Sequence, residues 1–253
     1  MKEKQQLKIL QLNAWTGRIK GALIDFIKSG DFDVVCLQEA VWCDDVTLTN
    51  FFATVDEIKE KCGYPYDVRG SNWGLRIFSA NTIMEQGNVI LSRKPFEYEE
   101  VKDIDDKYII ASTIEDFHYH LLTALKVKID GLTVINYHGY WDKNPLGTKE
   151  TVRVTKKLAD FVKNSDSPLV FCSDFNIIYE SPAMRELDFL RDLTHEYNID
   201  NTLAGLKFDG KVACDHILVS DDVTVKSFAV NDRIVSDHKA LIAEIEYTKK
   251  PLN

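Results

Sequence analysis

Four stretches of this 253-residue chain end an apolar run on a side chain that can hold a metal or move a proton. FDVVCLQE (32–39) stops at Glu39, PLVFCSDFN (168–176) runs into Asp174 and Asn176, LKILQLN (7–13) stops at Asn13, and LTVINYH (132–138) stops at His138. A carboxylate closing a buried strand is costly unless it is paired or coordinated. Glu39 and Asp174 therefore each need a partner, and a divalent cation would supply one. The i, i+2 spacing of Asp174 and Asn176 sets both side chains on one side of a strand end and turns Phe175 toward the core. An acceptor and an amide can then be held against one substrate atom. Near the C-terminus, Ser236-Asp237-His238 places a carboxylate and an imidazole side by side at the start of a strand, and Asp215 stands just before the apolar run Ile217 to Val219.

Alternating β-branched and helical patterns supply the elements that must position these groups. Strands are expected over 7–13, 32–39, 132–138, 168–176, 211–219, 223–230 and 238–247. Helices are expected from Arg18 to Ser29, stopped by Gly30, from about Thr47 to Cys62, stopped by Gly63, and from Thr148 to Val162; Ser181-Pro182 has the residues of a further helix start. The middle, from Tyr64 to Ile129, is strand-rich and closes with a long strand from Phe117, a two-residue Asp130-Gly131 turn and the strand at 132–138, a hairpin pattern. The class is α/β or α+β with substantial antiparallel sheet. LKILQLN (7–13) aligns with LTVINYH (132–138) and DVVCLQE (33–39) with PLVFCSD (168–174), with a helix between the first and second strand of each half. This internal similarity matches Asn13 with His138 and Glu39 with Asp174, so the polar residues gather at corresponding strand ends, where sites of layered α/β proteins lie.

Composition narrows the function classes. With 45% hydrophobic and 28% charged residues the chain is globular, and disordered, collagen-like and membrane-spanning classes are excluded. A chain of this size buries about 73% of its unfolded surface, ample for one large core, and residues 1–253 are expected to form a single domain. Lys and Arg number 31 against 40 Asp and Glu, a net charge of −9, which argues against coating a long polyanion through a basic face. The N-terminus lacks an apolar signal region, so a cytoplasmic protein without stable membrane association is expected. Five scattered cysteines (Cys36, Cys43, Cys62, Cys172, Cys214) with no C-x-x-C suggest neither a disulfide framework nor a zinc site.

The ordered set LNAW (12–15), LQE (37–39), NYHG (136–139), SDFN (173–176), CDHILV (214–219) and SDH (236–238) resembles the endonuclease/exonuclease/phosphatase superfamily over nearly the whole chain. Two departures stand out: Ser173 where the family usually has Gly, and His216 where Tyr is frequent. The resemblance implies a four-layer sandwich of the deoxyribonuclease I-like type, two packed β-sheets flanked by helices, and metal-dependent cleavage of a phosphoester. It makes Glu39 the principal ligand of Mg²⁺, or of Mn²⁺ in its place, with Asn13 and Asp237 beside it. It assigns Asp174 and Asn176 to the attacking water, His238 to the phosphoryl oxygen and proton transfer, Asp215 to orienting His238, and His138 to developing charge. Oxygen ligands of mixed carboxylate and amide type suit such a hard cation. At this level either Asp174 or His238 could be the general base.

Plainer readings of the same residues exist. Without the other motifs, Asn13 reads as a strand-end turn residue and His138 as a satisfied core histidine. His118, His120 and His195 lack motif context and read as surface or sheet-face residues, Arg153 as a helix-surface cation, and Glu97 to Asp106 as a solvated loop. A catalytically silent binding module on the same fold should have lost one of the eight polar residues, and none is missing. A sphingomyelinase-like phospholipid phosphodiesterase finds faint support in residues 39–42 and 63–66, but no long apolar hairpin for entering a bilayer. The substrate is left as a nucleic acid or a small phosphoester. Trp15, Trp42 and Trp141 follow site residues by two or three positions and Trp73 lies in the strand-rich middle, so an aromatic rim around a charged centre is expected, favouring a short ring-bearing ester.

Overall fold

The computed structural model describes residues 4–45, 50–77, 82–105, 107–111, 121–206 and 210–249. Its first sheet holds seven strands in the order β12 (Thr224–Asn231), β13 (Ala240–Thr248), β1 (Lys4–Asn13), β2 (Val34–Trp42), β4 (Thr82–Ser92), β3 (Tyr66–Ile77) and β6 (Ile110–Ala111). The second holds six, β10 (Arg191–Asp192), β11 (Asp215–Val219), β9 (Leu169–Asp174), β8 (Leu132–His138), β7 (Leu122–Ile129) and β5 (Tyr98–Asp105). Two parallel pairs, β1 with β2 and β8 with β9, are each joined through one helix, α1 (Lys20–Gly30) and α3 (Lys149–Lys163). The expected pairing of Asn13 with His138 and of Glu39 with Asp174 is thus a pairing of equivalent strand ends.

Period-2 alternation puts one face of each strand inside the sandwich. Leu7, Ile9, Val34 and Cys36 of the first sheet pack against Val127, Val134, Val170 and Ile217 of the second. The other face of the first sheet, with Leu10, Val35 and Leu37, is covered by α1 and α2 (Val55–Cys62). Ile135 and Phe171 on the outside of the second sheet are covered by Val154 and Leu158 of α3. The four layers are those expected. All five cysteines are free, and Cys36 and Cys172 are fully buried in the inner core.

Several boundaries differ from the sequence expectation. After Asn13 the chain makes a left-handed turn, with φ of 46°, 56° and 69° at Trp15, Thr16 and Gly17, so α1 begins only at Lys20. It ends with Gly30 still helical and Asp31 taking the left-handed position, φ 51°. α2 begins at Val55, where the Thr54 side chain accepts from the Glu57 N–H; of the expected earlier part, residues 47–49 lie outside the described residues. Gly63 ends it as expected, with φ 75°. Ser181-Pro182 leads into a 3₁₀ turn, Met184–Leu187, and not an α-helix. The acidic stretch after Glu97 is the edge strand β5 and not a loop: its backbone pairs with β7, and Lys126 pairs with Glu100 at 2.8 Å, a charged edge of the kind that discourages further strand pairing. The Asp130-Gly131 hairpin turn is present, with φ of 50° and 80°. His118 and His120 lie outside the described residues. No helix among the described residues is long and apolar enough to cross a membrane.

Candidate active site

The inner faces of the site-bearing strands change character along their length. In β1 the inward residues run Leu7, Ile9, Gln11, Asn13; in β2 Val34, Cys36, Gln38; in β8 Leu132, Val134, Asn136, His138; in β9 Val170, Cys172, Asp174. Apolar core gives way to amides and then to acids and imidazoles, all at one end of the sandwich. A cleft of about 840 Å³ opens there and is lined by Asn13, Glu39, His138, Asp174, Asn176, Asp237 and His238. Seven of the eight expected residues therefore face one space. The eighth, Asp215, is fully buried directly behind His238, its Oδ2 2.8 Å from Nδ1. A carboxylate only accepts, so Nδ1 carries the hydrogen and Nε2 is the remaining ring nitrogen.

Backbone geometry delivers each group. A β-bulge between Leu37 and Ala40 leaves Glu39 with φ 49°, half-buried at the cleft. Bulges of this kind re-aim side chains next to sites. Asn176 also has positive φ, 59°; its N–H donates to Asp174 Oδ1 at 2.9 Å and its Nδ2 donates to the Gly139 carbonyl at 3.1 Å. Phe175 between them is buried in the outer core, as expected. The Ser236 hydroxyl donates to the Asn13 carbonyl at 2.6 Å, which ties the Ser236-Asp237-His238 segment to the end of β1.

Asn13 links the two carboxylates. Its Oδ1 accepts from the Trp15 N–H at 3.0 Å, so its Nδ2 is left to donate to Glu39 Oε1 at 3.1 Å and Asp174 Oδ2 at 2.9 Å. Asp174 is completely buried; burial, and then the neighbouring Asp215 charge, raise its pKa against the opposing pull of His238, His138 and Asn13. Asp215 goes the other way. Burial would raise it, but the charge and hydrogen bond of His238, with further bonds from Thr202 and Gln11, hold it below the ordinary carboxylate value. His238 is raised well above the usual imidazole value, because Asp215 and Asp174 outweigh its burial. The Nε2 of His138 lies 3.6 Å from Asp174 Oδ2 and the Nδ1 of His238 3.7 Å from it, so the two imidazoles flank one carboxylate oxygen.

Asp174, Cys214 and His238 bring one ligand atom each within 4.8 Å of one another. They do not suit a thiolate metal site: burial and the two nearby carboxylates push the Cys214 thiol up to about 12, and the Nδ1 hydrogen of His238 is committed to Asp215. Glu39 and Asp237, with Asn13 beside them, offer oxygens to an open cleft and suit a hard cation that keeps its waters.

The tryptophans divide. Trp15, Trp73 and Trp141 line the cleft, Trp141 being 50% exposed. Trp42 does not: it is partly buried against the outer core of the first sheet, with Arg69 over its ring at 5.8 Å. Sequence reasoning passed over Arg18, Asn72, Gln86 and Lys143, which also line the cleft; no motif marks them. Gln11 was passed over too, although its amide interrupts the inward apolar positions of β1. Arg153 is paired with Glu150 and Asp105 on the helix surface, and His195 is exposed and stacked on Tyr179 at 3.5 Å. His216 is buried outside the cleft, bonded to Asp192 at 2.7 Å and near the Ile177 carbonyl at 3.1 Å. Ser173 sits within β9, fully buried.

Comparison with known proteins agrees with this architecture. No curated protein matches the chain. Among solved structures, an endonuclease/exonuclease/phosphatase from Beutenbergia cavernae DSM 12333 is similar with a TM-score of 0.72 at 17% identity, over 98% of this chain and 73% of that one. The human Nocturnin catalytic domain with bound sulfate anion gives 0.66 at 14% identity, over 98% and 97% of the two chains. D. rerio TDP2 complexed with single strand DNA product gives 0.64 at 17%, over 95% and 99%. These likenesses establish the deoxyribonuclease I-like sandwich. The model of the Endonuclease/Exonuclease/phosphatase family matches residues 10–238, from the inner half of β1 to His238 itself. With that match spanning every strand-end residue gathered around the cleft, the chain belongs to the endonuclease/exonuclease/phosphatase family of phosphoesterases.

Proposed function

We propose that this protein is a Mg²⁺-dependent hydrolase, with Mn²⁺ able to substitute, that cleaves a P–O bond in a short, ring-bearing phosphoester. The observation that carries this reading is the convergence of Asn13, Glu39, His138, Asp174, Asn176, Asp237 and His238 on one cleft, with Asp215 behind His238. Glu39 and Asp237 would hold the ion, and Asn13 ties Glu39 to Asp174. When bound, the ion supplies charge neutralisation for a pentacoordinate phosphorus.

The chain's own residues divide the remaining work. Asp174 receives the proton of the attacking water, since it is the more basic of the two buried carboxylates and its orientation is held by Asn13 and Asn176. Asp215, hydrogen-bonded at Nδ1, favours the protonated form of His238, which suits that ring to stabilise the phosphoryl oxygens and to protonate the leaving oxygen as the P–O bond breaks. His138, on the other side of Asp174, adds a second donor. Trp141 offers an exposed ring for the organic part of the ester, and Trp15, with Arg18 over its ring at 5.2 Å, and the buried Trp73 complete the aromatic lining. That Nocturnin binds a sulfate anion and TDP2 a single strand DNA product on similar folds supports an anionic, phosphate-bearing ligand for this cleft.

The test is a substrate panel with Mg²⁺ covering supercoiled and abasic DNA, RNA, inositol phosphates and sphingomyelin. Glu39→Gln should lower the activity found by at least about a hundredfold, in line with several kcal/mol of metal stabilisation, while the melting temperature holds. Full activity in excess chelator would overturn the metal assignment, and best activity on sphingomyelin would overturn the ring-bearing one.

A further inference from the structure

Between the apolar interior and the cleft lies a layer of amides, Gln11, Gln38, Asn88 and Asn136, all completely buried. Three of them form a directed string. Gln11 Nε2 donates to Asp215 Oδ1 at 3.0 Å and to Gln38 Oε1 at 3.0 Å. Gln38 Nε2 donates to Asn136 Oδ1 at 2.6 Å, and Asn136 Nδ2 donates to the carbonyls of Leu37 at 2.9 Å and Val89 at 2.8 Å. Starting at Asp215, the string crosses between the sheets three times and ends on the backbone of β2 and β4.

The orientation of Gln11 is unambiguous, because its oxygen turned toward Asp215 would face a carboxylate. That orientation leaves Gln11 Oε1 buried with no hydrogen-bond partner. A buried unpaired acceptor is unfavourable, and an apolar side chain of similar volume would remove it. Packing alone therefore does not account for an amide here; what it donates to does. Thr202 and His238 both bond Asp215 at Oδ2, at 2.6 and 2.8 Å, so that oxygen could act as a pivot. Among the described residues Gln11 is the side chain that holds the other oxygen.

We infer that Gln11 is a positioning residue for the proposed hydrolysis: by fixing Oδ1 it locks the rotation of the Asp215 carboxylate, and through Oδ2 the plane of the His238 ring. Gln38 and Asn136 anchor it to the sheet backbones. The inference rests on the reading of the cleft as hydrolytic for its kinetic consequence, but not for its structural one. Asn88 supplies a comparison of like character, since it too is a buried inter-sheet amide with an unpaired oxygen, but it donates to the Thr123 carbonyl at 2.6 Å and not to a site residue.

The experiment compares Gln11→Met with Asn88→Leu. Three quantities are read: the melting temperature, kcat and KM on the best substrate of the panel, and the proton resonance of the His238 Nδ1–H, assigned by its loss in His238→Asn. Gln11→Met should lower kcat about tenfold with KM within about twofold, as expected when a charge-assisted hydrogen bond is lost from a catalytic pair, and should shift or broaden the resonance. Asn88→Leu should leave kcat and the resonance at wild-type values whatever its melting temperature. Should Gln11→Met fail to fold, Gln11→Asn, which withdraws the amide by one methylene, is read the same way. An unmoved resonance in the Gln11 variant overturns the inference, as does wild-type kcat, or a kcat loss that Asn88→Leu reproduces. If the wild type hydrolyses nothing in the panel, the hydrolytic reading fails by itself, and the resonance still decides whether Gln11 holds the Asp215–His238 pair.

Discussion

Trp141 is the side chain of the cleft mouth best placed to meet a substrate ring, being half exposed and three residues beyond His138. A stacked ring contributes roughly 1–3 kcal/mol, so Trp141→Ala should raise KM about fivefold or more on a ring-bearing ester with little change in kcat. Unchanged KM would make Trp141 structural. Trp42→Ala should leave KM alone and lower stability instead, because that ring is packed against the outer core and does not line the cleft. At the same scale, His216 shows how an imidazole can be close to the site in sequence yet do structural work. Burial would lower its pKa, but the Asp192 charge and hydrogen bond, with the Ile177 carbonyl, leave it raised. A folded-state pKa above the unfolded value of about 6.5 adds stability that is fully present below that pH and is lost as pH rises through the folded value. Melting measured from pH 6 upward should show this loss in the wild type, and His216→Gln should flatten that part of the profile. An identical profile in the variant would show that the pair contributes nothing to folding.

Within the second β-α-β unit, the ends of β8 and β9 are set side by side through a close approach at Gly139. Its N–H donates to the Asp174 carbonyl at 2.7 Å, its carbonyl accepts from Asn176, and a Cβ built there would stand 2.4 Å from the Phe175 oxygen. Backbone occupies that space, so a side chain can enter only by separating β8 from the end of β9. Gly139→Ala should therefore move His138 away from Asp174 and lower kcat by at least about tenfold, since small displacements of catalytic groups cost rate steeply. Wild-type kinetics in a correctly folded variant would show that the strand ends have slack. α3, whose Val154 and Leu158 cover the outer face of the second sheet, is started by Thr148 and Thr151 bonding each other's backbone N–H groups.

A net charge of −9 makes the molecule repel long polyanions, and among the described residues the cleft itself sets only Arg18 and Lys143 beside Glu39, Asp142, Asp174 and Asp237. Few phosphates can then be engaged at once. For a protein contacting six to ten phosphates, affinity falls by about 10³–10⁵ between 50 and 200 mM salt. Here kcat/KM on the best substrate should change by less than about tenfold over that range. A fall approaching the larger figure would mean that an extended nucleic acid backbone is bound and that the short-ester reading is wrong.

The site was legible in the sequence because its residues interrupt short patterns. Asn13, Glu39, His138 and Asp174 each close an apolar run, and period-2 alternation carries that polarity to one end of a buried face, so local order was enough to select the set and to place it at strand ends. The helix start at Thr148 and the stop at Gly63 were local in the same sense, whereas the cap at Thr54, inside the helix expected from about Thr47, was not. The tertiary structure decided what alternation cannot carry. The extra residue in β2 between Leu37 and Ala40 reverses the parity of everything after it, so Trp42, which shares its sequence parity with the inward Val34, Cys36 and Gln38, ends on the outer face. A second bulge, between Ser71 and Trp73, brings Trp73 opposite Gln86 and into the cleft. The bond from Gln11 to Asp215 joins positions 204 residues apart across two sheets. Its existence depends on how the sheets are stacked, a matter of shape and packing between faces that no periodicity within one strand encodes. The opposite pKa directions of Asp174 and Asp215 follow from the same stacking, because only the folded interior sets one carboxylate among more donors than the other.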